Sequence, residues 1–338
     1  LKQLRKLLWP FSWLYNGVTF LRNQAFSAHI LREQKYPIPI INVGNLSTGG
    51  TGKSPFVTYI SSFFKTTDIA VLSRGYGRKT KGLLEVELES KASEVGDEPA
   101  QLKSLYPDLR VVVAENRKEG MEYLLQKDQA TKLVILDDAY QHRHVKASFN
   151  LLLTTYADPF FKDLVLPAGN LRENRLGSKR ATTIVVTKCP DKLSEKEAAA
   201  YRKQIGRYTN AAVFFAGLHY KAVKNQNGDI LAPSRKLNLL TGIANPMQLL
   251  EYVRKQFELN KHFSFADHHN FSAKEIRDIE DMLEDGLLPL LTTRKDFQRL
   301  KELLPNQLSR SIYVVDIKPV ILLNEKNAFE QLIKQQLI

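Results

Sequence analysis

The sequence predicts an α/β protein: a mostly parallel sheet with helices on both faces, joined by a two-stranded ribbon to a smaller α/β unit. Three observations carry this. Short apolar runs such as RVVVA (110–114), KLVILDD (132–138) and TTIVVTK (182–188) are rich in β-branched residues and do not alternate with polar ones, the pattern of strands buried on both faces. Helical stretches separate these runs, which favours parallel pairing wrapped by helices. The 338 residues suffice for two cores at roughly 100 to 200 residues per domain.

The elements follow in chain order. Residues 1–36 form an amphipathic segment in which Leu4, Leu7, Leu8, Phe11, Leu14, Val18 and Leu21 fall at helical spacing beside Lys2, Arg5, Lys6 and Arg22. The longest uncharged run, Leu7 to Leu21, contains Pro10, Ser12, Asn16 and Gly17 and falls short of the ~20 apolar residues that span a bilayer. No small-residue cleavage site follows, so neither a spanning helix nor a signal peptide is expected. Trp9 and Trp13 beside basic residues are the composition of a helix lying in a lipid interface; a helix packed on its own domain is the alternative.

Residues 37–212 make the larger unit. Strands are expected at 37–45, 69–74, 110–114, 132–138, 149–155 and 182–188, and helices at 53–64, 116–126 and 194–206, the last opened by a capping box of Ser194 and Glu197. Residues 213–232 hold two extended runs around Asn227-Gly228, a strong hairpin signal, and form the linking ribbon. Residues 233–318 repeat the alternation on a smaller scale, with strands LNLLTGI, HFSFAD, LPLLTT and SIYVVDI and helices at 246–257, 273–284 and near 296–303. Residues 319–338 form a tail whose helix, 325–336, has no predicted place.

The charge is +13, from 49 Lys and Arg against 36 Asp and Glu, which favours an anionic partner: a membrane surface, a phosphorylated substrate or nucleic acid. The cations are scattered and form no stripe with stacking aromatics, so nucleic acid is not the expected partner. Cys189 is the only cysteine, which excludes an intrachain disulfide and fits a reducing, cytoplasmic setting.

The segment NVGNLSTGGTGKSP (42–55) places a glycine-rich turn between a strand and a helix. Turn amides converge on phosphate oxygens, the helix N-terminus adds positive charge, and Lys53 reaches the terminal phosphates, while the Ser54 hydroxyl is placed for Mg²⁺. Gly49, Gly50 and Gly52 let the backbone approach closely. Ser47 stands where the usual spacing has its first glycine, and completes the turn if its φ is negative. The core is therefore read as P-loop NTPase-like. LVILDD ends in Asp137 and Asp138, acids at the end of a buried strand that suit Mg²⁺ or its water.

Other polar clusters are VGDEP with Asp97 and Glu98, AYQHRH with His142 and His144, AGNLRE with Arg172 and Glu173, and FADHHNF with Asp267, His268 and His269. No HxxxH or CxxC spacing supports a zinc site, and no GxSxG elbow is present. TKCPD (187–191) and TTRKD (292–296) each echo the Thr/Asn-Lys-x-Asp string that contacts a purine in GTP-binding proteins.

With GNLSTGGTGKSP, RGYGRK, VGDEP, LDDAYQHR, GNLRE and FADHHNF in this order, the chain resembles the tetraacyldisaccharide 4'-kinase family, the lipid A 4'-kinases of Gram-negative bacteria, from about residue 5 to about residue 318. The resemblance implies transfer of the ATP γ-phosphate to the 4'-hydroxyl of a tetraacyldisaccharide 1-phosphate, giving lipid IVA, at the cytoplasmic face of the inner membrane. It implies ATP and Mg²⁺ as cofactors, an acylated disaccharide lipid and the anionic inner-membrane surface as partners, and a cleft between two lobes as the site; a monomer is expected. By position, Gly49, Gly50, Thr51, Gly52, Lys53 and Ser54 correspond to the nucleotide loop. Asp137, Asp138 and Glu173 join Ser54 as metal-site residues, and Arg172 corresponds to a guanidinium on the phosphates. Asp97 and His268 correspond to the pair that activates the acceptor hydroxyl, and His142 to an active-site histidine. Here Ser54 replaces a more familiar Thr, and Ala139 and Tyr140 replace Gly and Phe; no reactive group is lost.

The chemistry agrees with these roles. A sugar hydroxyl needs alignment, charge neutralisation and a nearby base, and a carboxylate orienting an imidazole supplies the last. A lipid with four acyl chains leaves the bilayer at great cost, about 0.8 kcal/mol per CH₂, so the enzyme must approach the membrane, a task suited to Trp9, Trp13 and the basic residues near them. The alternative reading is a P-loop GTPase or ATPase switch or metallochaperone, with slow hydrolysis and no lipid acceptor.

Overall fold

The computed structural model describes residues 5–127, 130–243, 245–267 and 269–337. The strands among the described residues are β1 (Ile40–Asn45), β2 (Ile69–Ser73), β3 (Leu84–Glu85), β4 (Arg110–Val113), β5 (Leu133–Asp137), β6 (Phe149–Thr155), β7 (Thr183–Thr187), β8 (Ala212–Tyr220), β9 (Lys236–Thr241), β10 (Glu258–Ser264), β11 (Leu290–Thr293), β12 (Tyr313–Val315) and β13 (Ile317–Ile321). The longer helices are α1 (Trp9–Ser27), α2 (Lys53–Ser61), α3 (Asp97–Leu105), α4 (Arg117–Lys127), α5 (Glu195–Ile205), α6 (Met247–Gln256), α7 (Ala273–Glu284), α8 (Arg294–Leu303) and α9 (Lys326–Lys334).

Nine strands form one sheet in the order β13-β8-β7-β6-β1-β5-β2-β4-β3. The seven inner strands pair in parallel, and the edges β3 and β13 are antiparallel to their neighbours. Successive residues of one strand serve different cores, as the unbroken apolar runs predict: Ile41 and Val43 face α2, α3 and α9, while Ile40 faces α4. Leu152, Ile184 and Val186 pack with Ala198 and Ile205 of α5. The smaller sheet, β10-β9-β11-β12, is wholly parallel. Capping boxes at Ser194 and Ser272 fix the starts of α5 and α7.

Two pairings differ from the sequence reading. The ribbon expected at 213–232 reduces to a turn at Asn225–Asp229 with one antiparallel bridge, Lys224 to Ile230. Its first run instead enters the large sheet as β8, because Phe214, Phe215 and Ala216 are apolar enough to be buried there, whereas the Lys- and Asn-rich stretch beyond is not. The unplaced tail also returns to this sheet. β13 runs antiparallel to β8, and Phe329 of α9 meets Phe214, Tyr59 and Phe56 at ring separations of 5.3, 6.3 and 6.4 Å. The connection between the two sheets is therefore the outgoing β8 and the incoming β13, side by side.

Candidate active site

The phosphate loop runs from the end of β1 at Asn45 into α2 at Lys53. Gly49 and Gly52 have φ of +105° and +89°, and nothing lies within 4 Å of an added Cβ at either; conformation, not space, requires glycine there. Ser47 is not among the positive-φ residues and bridges Leu171 in antiparallel fashion, so it completes the turn with ordinary backbone. A second segment clasps the loop: Thr48 N donates to Asn170 O at 2.7 Å and Arg172 N to Leu46 O at 2.6 Å. Asn45 Nδ2 donates to Thr51 Oγ1 at 2.9 Å, and Thr187 Oγ1 to the Thr51 carbonyl at 2.8 Å. The amides are fixed before any ligand arrives.

β5 lies beside β1, with Asp137 opposite Val43, which brings both acids to the loop. Asp138 turns out of the strand at φ +47°. Its carboxylate takes two bonds from Arg172, at 2.9 and 3.2 Å, and lies 3.6 Å from Lys53 Nζ. Burial alone would raise its pKa, but Lys53 and Arg172 outweigh that and hold it below the ordinary carboxylate range. Asp137 is the opposite case: burial first, then the charges of Glu98 and Asp138, push its pKa up. One oxygen accepts from Ser73 Oγ at 2.9 Å; the other is buried with no partner among the described residues. Asp137 also borders a cleft lined by Ser54, Thr58, Ser73 and Glu98. A lone buried carboxylate oxygen beside a loop hydroxyl fits Mg²⁺, which takes one or two protein oxygens and completes its shell with phosphate and water. No trio of His, Cys, Asp or Glu among the described residues could hold a metal unaided.

Glu173 lies apart from these contacts. It is 2% exposed, and its oxygens accept from Gln141 at 2.9 Å, Arg180 at 2.7 Å and Asn23 at 2.6 Å. It thus ties α1 to the segment that carries Arg172. His142 is half-buried; burial, then Arg117, Arg74 and Arg22, depress its pKa to about 4, so the ring is neutral at pH 7. Asp97 opens α3 and receives a bidentate pair from Arg299 of α8, one bond at 3.0 Å. His268 lies outside the described residues. Ser73 and Arg299 are site neighbours the sequence reading did not single out, and nothing local marks Arg299; Glu98, named there within VGDEP but given no role, also lines the cleft. TTRKD proves to be a helix start: Thr293 caps α8, and the buried Asp296 holds the Gly242 amide at 2.9 Å. TKCPD, in contrast, leaves β7 beside the phosphate loop.

Helix α1 docks through its polar side. Ahead of the helix, Arg5 donates to Pro167 O at 3.1 Å, to Asn170 Oδ1 at 2.9 Å and to the Gly169 carbonyl. Ser12 Oγ donates to Val165 O at 3.0 Å, and Tyr15 OH to Arg172 O at 2.9 Å. Its apolar side faces outward, with Trp13 76%, Leu14 71% and Leu21 68% exposed. Among the described residues no helix is long and apolar enough to cross a membrane.

Comparison with known proteins places this arrangement in a family. The model of "Tetraacyldisaccharide-1-P 4'-kinase" matches residues 4–338. A tetraacyldisaccharide 4'-kinase of Flavobacterium psychrophilum is 41% identical over 338 residues, 98% of this chain and 96% of that one. One from Bacteroides fragilis is 36% identical, covering 97% of this chain and 92% of the relative. The crystal structure of LpxK from Aquifex aeolicus in complex with ATP superposes with a TM-score of 0.77 at 29% identity, over 99% of this chain and 100% of that one. The chain belongs to the tetraacyldisaccharide-1-P 4'-kinase family.

Proposed function

We infer that the protein transfers the γ-phosphate of ATP to the 4'-hydroxyl of tetraacyldisaccharide 1-phosphate, giving lipid IVA in lipid A biosynthesis. The observation that carries this is the meeting of Lys53, Asp138 and Arg172 at the mouth of a prefixed phosphate loop, beside the unpartnered oxygen of Asp137. Lys53 and Arg172 neutralise the terminal phosphates, and Asp138 holds both cations in position. Ser54 and Asp137 would hold Mg²⁺, which when bound would help neutralise the charge of the phosphates. Gly49, Gly50, Thr51 and Gly52 cradle the chain of phosphates. Glu173 and His142 act at one remove, Glu173 by fixing the segment behind Arg172.

For the acceptor, we assign proton removal to His268, with Asp97 as the orienting carboxylate. Support comes from Asp97's position at the start of α3, next to Glu98 and the cleft, and from its grip by Arg299, which fixes the carboxylate in place. The domain division we propose is a membrane-associating segment 1–36, a kinase core 37–212, a connection 213–232 whose first run, β8, belongs to the core sheet, a smaller unit 233–318, and a tail 319–338 that completes the core. The outward apolar face of α1 supports peripheral binding at the cytoplasmic face of the inner membrane, where an acylated substrate resides.

The test is incubation of the protein, Mg²⁺ and γ-labelled ATP with tetraacyldisaccharide 1-phosphate in mixed micelles. Label entering the glycolipid is the expected result; release of free phosphate alone would favour the switch or metallochaperone reading. His268→Ala should depress kcat far more than ATP affinity.

A further inference from the structure

At the mouth of the phosphate loop Lys53 and Arg172 share Asp138, whereas Lys188 has no anionic partner among the described residues. Lys188 follows β7 with φ +56°, a left-handed conformation that L-residues adopt at a cost and that clusters at ligand clamps. Its neighbours hold it there. Thr187 Oγ1 donates to the Thr51 and Thr154 carbonyls at 2.8 and 3.2 Å, and Cys189 N donates to Ala216 O at 3.0 Å. So held, its ammonium reaches over the loop: a Cβ built on Gly50 would meet Lys188 Nζ at 3.8 Å.

The ammonium is half-buried and has no acceptor and no nearby carboxylate among the described residues; burial alone lowers its pKa. A charge taken from water without a counter-charge is costly, and a bound anion would complete it. Topology says which part of that anion. Asp137 and Asp138 lie on β5, on one side of β1, whereas Lys188 follows β7, two strands away on the other side. At ~4.8 Å per strand the two ends stand roughly 14 Å apart along the carboxyl edge of the sheet, where ligands of open α/β sheets bind. With the γ-phosphate at Lys53, Asp138 and Arg172, the chain of phosphates crosses β1 and brings the nucleoside end toward β6 and β7.

We propose that Lys188 is a nucleotide-binding residue, its ammonium contacting the α-phosphate and ribose of the bound nucleotide from the side of the loop opposite the acidic pair. This rests on the ATP-dependent reading above. It assigns a contact to TKCPD through its lysine and leaves TTRKD as a helix cap. Because the contact is far from the transferred phosphoryl group, it contributes equally to ground state and transition state and sets KM for ATP rather than kcat.

The experiment is calorimetric titration of the full chain with Mg-ATP and Mg-ADP, together with steady-state kinetics. Lys188→Met, which keeps the apolar stem, should weaken both nucleotides by about tenfold, as expected for loss of one charge-assisted contact. KM for ATP should rise in step, while kcat and KM for the lipid stay within about twofold. Lys188→Arg should recover most of the affinity. Lys188→Gly, which suits the left-handed backbone and so protects the fold, should lose affinity as Lys188→Met does. Folded Met and Gly variants that bind ATP and ADP as tightly as the parent overturn the proposal, as does a loss confined to kcat. A parent protein that binds no ATP overturns the ATP reading itself, a different result from tight binding in every variant.

Discussion

Asp138 leaves β5 in a left-handed turn, and that turn carries its carboxylate to Lys53 and Arg172 while Asp137 stays directed at the cleft. Two adjacent residues of one type thus acquire opposite pKa shifts, one held charged by two cations and the other pushed toward neutrality by burial and like charge. Arg172 acts on both sides of this arrangement, since it restrains Asp138 and points at the phosphate mouth. Arg172→Ala should therefore lower kcat by about 10²- to 10³-fold, the scale of losing one fixed donor to developing charge, with a smaller effect on ATP affinity; steady-state kinetics beside nucleotide titration checks the split. Cys189 supplies a prediction of another kind. The thiol is buried at 3% exposure, and burial pushes its pKa up to about 12, so the thiolate is scarce at pH 8. Iodoacetamide at that pH should leave the folded protein unmodified and label it once guanidinium unfolds it, as mass spectrometry would record.

At the scale of elements, α1 inverts the usual amphipathic arrangement. Its polar residues Ser12, Tyr15 and Asn23 bond inward to the segment carrying Arg172 and Glu173, and its apolar residues Trp13, Leu14, Val18 and Leu21 face out, while Phe26 near its end packs inward. Replacing Trp13 and Leu14 together by Ser should weaken sedimentation with anionic vesicles by tenfold or more, because each buried CH₂ contributes about 0.8 kcal/mol. ATP affinity and melting temperature should hardly move, since exposed positions affect stability by about 0.5 kcal/mol or less. α9 is the contrary case. Phe329 is fully buried against α2 and β8, and Phe329→Ala should cost about 3–5 kcal/mol of stability, seen as a lower denaturant midpoint. These two helices also mark the limit of what was legible in the sequence. Strands such as β5 and β7 were readable because an unbroken apolar run states its own burial, and α5 because Ser194 and Glu197 state its start. The phosphate loop and the Asp137-Asp138 pair were readable for the same reason, as each is contiguous. The partners of β8 and α9 were not, since Phe214 and Phe329 lie more than a hundred residues apart and local propensity says nothing about which distant strand or helix wins. Arg299 escapes notice likewise, since it derives its meaning from Asp97 across a long separation; Lys188 is legible only as part of the TKCPD string, and its place over Gly50 is not.

At the scale of the molecule, the smaller sheet hangs on β8 and β13, and its α8 returns to the larger unit at α3. Arg299 grips Asp97 there, and Glu302 of α8 accepts from the Ala92 amide. Both partners of the Arg299–Asp97 pair are at least nine-tenths buried as side chains, a situation in which removing one member leaves an uncompensated charge and costs about 3–5 kcal/mol. The phosphate loop, by contrast, is built from β1, α2 and the Thr48–Asn170 and Thr51–Thr187 contacts, all within the larger unit. With proton removal assigned to His268 as proposed above, holding ATP and presenting the acceptor base would be separable properties of different regions. Arg299→Met should accordingly leave the ATP dissociation constant within about threefold of the parent while cutting lipid phosphorylation by about 10² or more, since displacement of a catalytic group by an ångström suffices for such a loss. Arg299→Lys keeps the charge but not the fork geometry and should fall between the two. Equal losses of ATP affinity and turnover in Arg299→Met would mean that the two regions work as one rigid unit, and the separation argued here would not stand.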